Sequence, residues 1–281
     1  MNTNTINPRD RLLAALKYLF VIACVIAALF PLLWVFMSSF KSNSEILSSG
    51  VSLPKSFNFS GYIDALRISP ILKYFANSVL IAGVVTFVNV LLLSMAGYVF
   101  ARCQFFGKKF LYFLLSLSMV IPMTALLHPV YIVVNSLQLY DTKLGLILVY
   151  TALNMPMSLL IMRSTFQGIP RALEEAAYVD GAGFVRTFFQ IMLPCAKGGL
   201  ASSAVLAFLG SWNEFTFALV LTSGESARTL PLSLSYFTSQ FSFNYTALFA
   251  AVTIAVIPSI LVFAIFQEQV ISSLTAGAVK E

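Results

Sequence analysis

From Tyr18 to Met37 the chain carries no charged side chain. A helix rising about 1.5 Å per residue covers the roughly 30 Å hydrocarbon core of a bilayer in about 20 residues, the length of this run. The whole apolar stretch is about 16–37, and five more follow at about 76–100, 110–132, 144–162, 200–222 and 247–266. Backbone N–H and C=O groups in lipid must pair within the segment or with neighbouring protein, so such stretches fold as helices. The expected class is an all-α membrane protein with six transmembrane helices. The third is the loosest, because Pro122, His128 and Pro129 interrupt its second half. Pro31, Pro156 and Pro258 also fall within spans and predict kinks, with neighbouring helices satisfying the freed backbone groups.

Composition agrees. Of 281 residues, 59% are hydrophobic and 10% charged, against about 45–50% and about 25% in soluble domains. A soluble domain of this length could not hide so much apolar surface. Arg9, Arg11 and Lys17 precede the first run in the order of a signal peptide. That run is long enough to span, and no small-residue cleavage site follows it directly. It reads as an uncleaved first helix.

The basic residues set the orientation. An N-terminus inside the cell leaves most of the 17 Lys and Arg residues on the cytoplasmic side. The short loop CQFFGKK, residues 103–109, is the clearest contributor. Both termini are then cytoplasmic. Segments 38–75 and 223–246 lie outside, the first with turn signals at Leu53-Pro54 and Ser60-Gly61. The second carries Tyr236, Phe237, Phe241, Phe243 and Tyr245, which suit either an interfacial aromatic belt or contact with a binding protein. Residues 163–199 form the longest cytoplasmic loop.

That loop contains EEAAYVDGAGFVRTFFQIMLP, Glu174 to Pro194. Pro170 suits a first helical turn, and Arg171 to Val179 is rich in helix formers. Glu174 and Glu175 lie where the helix dipole favours negative charge, and Gly181 is a natural stop. A second short helix from about Phe184 to Met192 sets Phe184, Phe188 and Ile191 on one face. Two short helices meeting at a glycine elbow can be an interfacial connector. Such connectors carry Lys and Arg on the polar face, whereas this one offers Glu174, Glu175 and Asp180. A basic protein surface is the better neighbour for them.

The spacing is also specific. Glu175-Ala176-Ala177, three residues, Gly181, nine residues and Ile191-x-Leu193-Pro194 resemble the EAA signature of ABC-transporter permease subunits. The form EAAYVDGAG, the stretch SWNEFTFALVL and the ending LTAGAVK resemble the carbohydrate-uptake permeases of the maltose type. The resemblance implies the type I ABC importer permease fold, with a cytoplasmic coupling-helix loop. It implies three regions: residues 1–73 with the first helix and an external loop, a transport core 74–266 with its coupling loop 163–199, and a cytoplasmic tail 267–281. It also implies a second homologous permease, a cytoplasmic ATPase dimer, an extracytoplasmic solute-binding protein and a sugar carried through the cell membrane by alternating access. Glu174 to Gly183 would be the docking surface, with Ile191, Leu193 and Pro194 completing the signature.

This chain lacks the G-x-x-x-x-G-K-[ST] phosphate cradle; Gly107-Lys108-Lys109 has neither the upstream glycine nor the Ser/Thr. No cofactor is expected on it, with ATP and magnesium placed on the partner. No Ser/His/Asp set stands out, and a lone His128 without Cys partners argues against a metal. Cys24, Cys103 and Cys195 have no paired spacing and read as inert thiols. No nucleic-acid partner is expected.

Glu214 is the single acid placed inside a span and must face the bundle or a wet cavity. Either Trp212, Asn213 and Glu214 line the substrate path, the tryptophan stacking on a sugar ring, or Glu214 ties helices together. Asn77, Asn89 and Asn154 pose the same choice, with helix-to-helix hydrogen bonds the commoner role. A permease of this kind for an amino acid or peptide is the main rival. An ion-coupled transporter would show repeated halves and several intramembrane charges, which are not evident here.

Overall fold

The computed structural model describes the backbone of residues 8–237 and 244–278, and the side chains of 12–237 and 244–268. Phe241, Phe243, Lys280 and the side chains of Arg9 and Arg11 lie outside the described residues. Every described regular element is helical.

The chain divides into two units. The first comprises residues 1–69 and 236–254. It holds α1 (Pro8–Ser38), α2 (Asn43–Ser48) and α3 (Ser60–Ile68). Residues 12–33 of α1 are exposed, as expected for an apolar helix whose solvent is lipid. Ser42 caps α2 with a reciprocal Glu45 bond, a capping box. The Ser42 backbone N–H holds the Glu45 carboxyl below the usual carboxylate range. Ser60-Gly61 opens α3 instead of forming a turn. Gly61 is bare because a Cβ there would sit 2.6 Å from Thr246 Cγ2. Phe40 is ringed by Phe36, Phe57, Phe59 and Tyr62.

The second unit comprises residues 70–235 and 255–281. In order come α4 (Ile71–Arg102), α5 (Lys108–Leu117), α6 (Leu127–Ser136), α7 (Lys143–Gly168), α8 (Ala172–Val179), α9 (Phe184–Thr187), α10 (Leu193–Cys195), α11 (Lys197–Trp212), α12 (Thr216–Leu221) and α13 (Leu230–Ser233). The last helix, α14 (Tyr245–Ala278), starts in the first unit. The long helices α4, α7 and α11 pack on one another and form the centre. Lipid is as apolar as leucine, so close approach and polar pairing hold such helices together. A Cβ on Gly97 of α4 would sit 2.6 Å from Met162 Cβ of α7, and one on Gly210 of α11 would sit 2.6 Å from Asn154 Oδ1. Asn89 Nδ2 donates to the Thr151 carbonyl at 3.0 Å, and Asn154 Nδ2 to Ser211 Oγ at 3.3 Å.

Among the described residues four helices are each long and apolar enough to cross a membrane, and two bent pairs bring the number to as many as six. The first pair is the expected third span. It breaks by 103° between Lys108–Val120 and Met123–Ser136, at Pro122. His128 and Pro129 do not break it further; both lie in the first turn of α6, where a missing N–H costs little. The second pair, Phe184–Cys195 with Lys197–Trp212, bends by 77°. Pro31, Pro156 and Pro258 all lie inside helices, as their flanking sequence predicts.

The expected fifth span, 200–222, is not one helix. α11 ends at Trp212, and α12 starts only at Thr216. Glu214 is the physical reason. Its Oε1 accepts from Phe217 N at 2.7 Å and its Oε2 from Ala218 N at 3.0 Å, so the side chain replaces the carbonyls that a continuous helix would supply.

Candidate functional site

The loop 163–199 leaves α7 at Gly168, and Pro170 begins the next turn. α8 covers Ala172–Val179, one residue short of the expected start at Arg171. It ends in a Schellman motif: Ala182 N donates to Ala177 O at 2.9 Å and Gly181 N to Tyr178 O at 3.1 Å. Gly181 stands at φ +80°, a left-handed conformation that costs glycine little. The elbow is therefore built as its sequence predicts. Gly183 then opens α9, and a π-helical turn, Phe188–Met192, leads into α10. That wider turn shifts the inward face: Phe188 and Met192 are buried, Ile191 and Leu193 half-buried, and Phe184 and Pro194 exposed.

The two sides of the elbow differ. The inner side packs Tyr98, Met162, Phe166, Phe188, Met192 and Ala196 into one cluster. Tyr98 lies 5.4 Å from Phe166 and 5.2 Å from each of Phe184 and Phe188, ring to ring. Ala177 faces inward, while Ala176 is exposed. The outer side exposes Glu175 and Asp180 among apolar neighbours: Val179 is 87% exposed and Val185 66%.

Glu174 departs from the expected exposed docking surface. It is only 8% exposed. Arg102 Nε, at the end of α4, donates to Glu174 Oε1 at 3.1 Å, and Arg102 Nη2 also donates to the Ile169 carbonyl. An acid one position from the outward Glu175 turns inward because a helix rotates about 100° per residue. Removing either member of such a shielded pair strands the other charge, at about 3–5 kcal/mol. Sequence reasoning missed this pair because its members are 72 residues apart.

Trp212, Asn213 and Glu214 come together at the break between α11 and α12, with Trp212 buried, Glu214 half-buried and Asn213 exposed. Trp212 is 1% exposed. Its Nε1 donates to Ala255 O at 3.0 Å, and its ring meets Phe75 edge-on and Phe208 face-on, so no face is free for stacking. Asn213 is exposed and its Oδ1 accepts from Ser259 Oγ at 3.3 Å. Besides the two amides of α12, Glu214 accepts from Tyr150 OH of α7 at 2.7 Å. That network links α7 to α12 through Glu214.

The second unit also contains a cavity of about 660 Å³ beneath the bend between α5 and α6. Ser118 and Asn154 supply the only polar side chains of its lining, and Asn154 Nδ2 is already engaged by Tyr150 O and Ser211 Oγ. Sugar hydroxyls need many partners, so this wall suits apolar contact. Among the described residues no three His, Cys, Asp or Glu side chains gather as metal ligands.

The described residues thus form a helical membrane protein that carries a two-sided elbow on one loop. The comparisons make that particular. Residues 93–275 match the family described as the binding-protein-dependent transport system inner membrane component, and the chain belongs to it. It is 36% identical over 270 residues to a diacetylchitobiose uptake system permease protein of Streptomyces coelicolor, covering 95% of this chain and 89% of that one. It is 34% identical to a trehalose/maltose transport system permease protein of Thermococcus litoralis, over 94% of this chain and 97% of that one. Its fold matches a chain in the crystal structure of a bacterial ABC transporter involved in the import of the acidic polysaccharide alginate. That match has a TM-score of 0.81 and 22% identity, and covers 95% of this chain and 99% of the other.

Proposed function

We propose that the chain is one membrane-spanning half of an ATP-driven importer of a sugar or oligosaccharide. It pairs with a second, related permease and receives solute from an extracytoplasmic binding protein. Two ATPase subunits on the cytoplasmic side hydrolyse ATP with magnesium, and their closure drives alternating access. The N-terminal region, residues 1–73, adds the first helix to a transport core, 74–266, and both termini are cytoplasmic.

The observation that carries this reading is the two-sided elbow. Its inner side is tied to α4 and α7 by an ion pair and an aromatic cluster, which fixes it to the bundle. Its outer side combines Glu175 and Asp180 with Val179 and Val185, an acidic rim around apolar side chains left uncovered. Such a surface fits a groove with an apolar floor and basic walls on a soluble partner. Gly181, together with Ala176 and the outward residues of α8, is the docking element.

Co-purification tests it. Glu175→Lys and Gly181→Leu are expected to reach the membrane in native amount but retain little ATPase. Native retention and native uptake in both variants would refute the docking role.

A further inference from the structure

The elbow is connected to the bundle by three routes: its covalent join to α7, the packing of Phe184 and Phe188 on Tyr98 of α4, and an ion pair. The covalent one runs through Ile169 and Pro170 into α7, a non-helical connection leading to a helix interrupted by Pro156. A proline removes a hydrogen bond from the helical ladder and softens it at that point. The route that reaches α8 itself is the Arg102 guanidinium. It bonds both the Ile169 carbonyl, within that connection, and Glu174, on α8. Arg102 is the last residue of α4, a helix of 32 residues with no proline.

The far end of α4 is also tied to a loop. Asn77 Nδ2 donates to Ser226 O at 3.1 Å and to Arg228 O at 2.9 Å. Ser78 Oγ accepts from Leu230 N at 2.7 Å. Asn77 and Arg102 are about 37 Å apart along the helix at the usual rise. One uninterrupted helix thus holds the elbow at one end and the segment 226–230 at the other.

We propose that the Arg102–Glu174 ion pair is the positioning link that delivers displacement of the elbow to α4, and through α4 to segment 226–230 on the opposite face of the membrane. The link rests on the docking role given above. Glu175 meets the partner; Glu174, one residue away, turns inward and transmits. Without the pair, α8 can move on its Ile169–Pro170 connection, and only the packing of Tyr98 on Phe184 and Phe188 still joins the elbow to α4.

The test uses the complete transporter in proteoliposomes. Cys24, Cys103 and Cys195 are replaced by serine, and the exposed Ser226→Cys is labelled with a maleimide with and without ATP. Arg102→Glu, Glu174→Arg and the double exchange are compared, with co-purifying ATPase measured in each. Glu174→Gln keeps the shape of the site if the reversals fail to insert. Expected is native ATPase retention in the single variants, with the ATP-induced change in labelling rate reduced about tenfold, within the usual range of coupling effects. The double exchange should restore most of it, and Glu174→Gln should fall between. A native-sized labelling change in any inserted single variant, or a double exchange no better than the single ones, overturns the link. Loss of the ATPase from the native preparation overturns the docking role and the link with it. Retained ATPase with an unaltered Ser226→Cys response overturns the link alone.

Discussion

Glu214 gives the most quantitative check on the bundle. Its carboxylate accepts from Phe217 N, Ala218 N and the buried Tyr150 hydroxyl. A hydrogen bond to a charged group contributes about 1.5–3 kcal/mol, and an unsatisfied buried hydroxyl costs about 1–3 kcal/mol. Glu214 is half-buried, so water recovers part of the loss at the two amides. Glu214→Ala is therefore expected to cost about 3–5 kcal/mol in reversible unfolding of the purified chain in mixed micelles. Tyr150→Phe should cost about 1.5 kcal/mol, the low end of the range for a hydrogen bond to a charged group. The double variant should fall short of additivity by about 1 kcal/mol, near the upper range for such pairs in membranes. Additivity within about 0.3 kcal/mol would refute the link between α7 and the helix break. A Glu214→Gln variant with native stability and a raised KM for uptake would assign the carboxylate to the solute instead.

Two further substitutions separate close packing from surface contact. Gly210→Ala places a Cβ 2.6 Å from Asn154 Oδ1, and the forced shift should lower stability by about 1–3 kcal/mol in the same unfolding assay. Lys73 and Glu225 pair at 3.4 Å with side chains 51% and 56% exposed. Lys73→Ala should leave both stability and uptake within about 0.5 kcal/mol of native, since exposed pairs contribute little.

Local rules carried much of this structure. The charge-free runs gave α1, α4, α7 and α14, because spanning length and lipid solvation act on each segment by itself. The elbow was legible for the same reason: a proline start, helix formers and a glycine stop act within a dozen or so residues. Distant partners were not legible. Glu174 is turned inward by Arg102, and Glu214 breaks the fifth span while binding Tyr150, 64 residues away. Trp212 looked available for stacking until Phe75, Phe208 and Ala255 enclosed it. For Trp212 and Glu214 the apolar pattern placed the side chain within the bundle, while for all three the role depended on a residue far off in the chain.

The central claim is that the outer face of the elbow meets the ATPase. A photo-reactive side chain in place of Val179, 87% exposed at the tip of α8, tests it most directly in native membranes. Phe87, 69% exposed on the flank of α4, is the control position. The account predicts an adduct with the ATPase from position 179 and only lipid adducts from position 87. Lipid adducts alone from position 179, in a membrane that retains the ATPase, would contradict it.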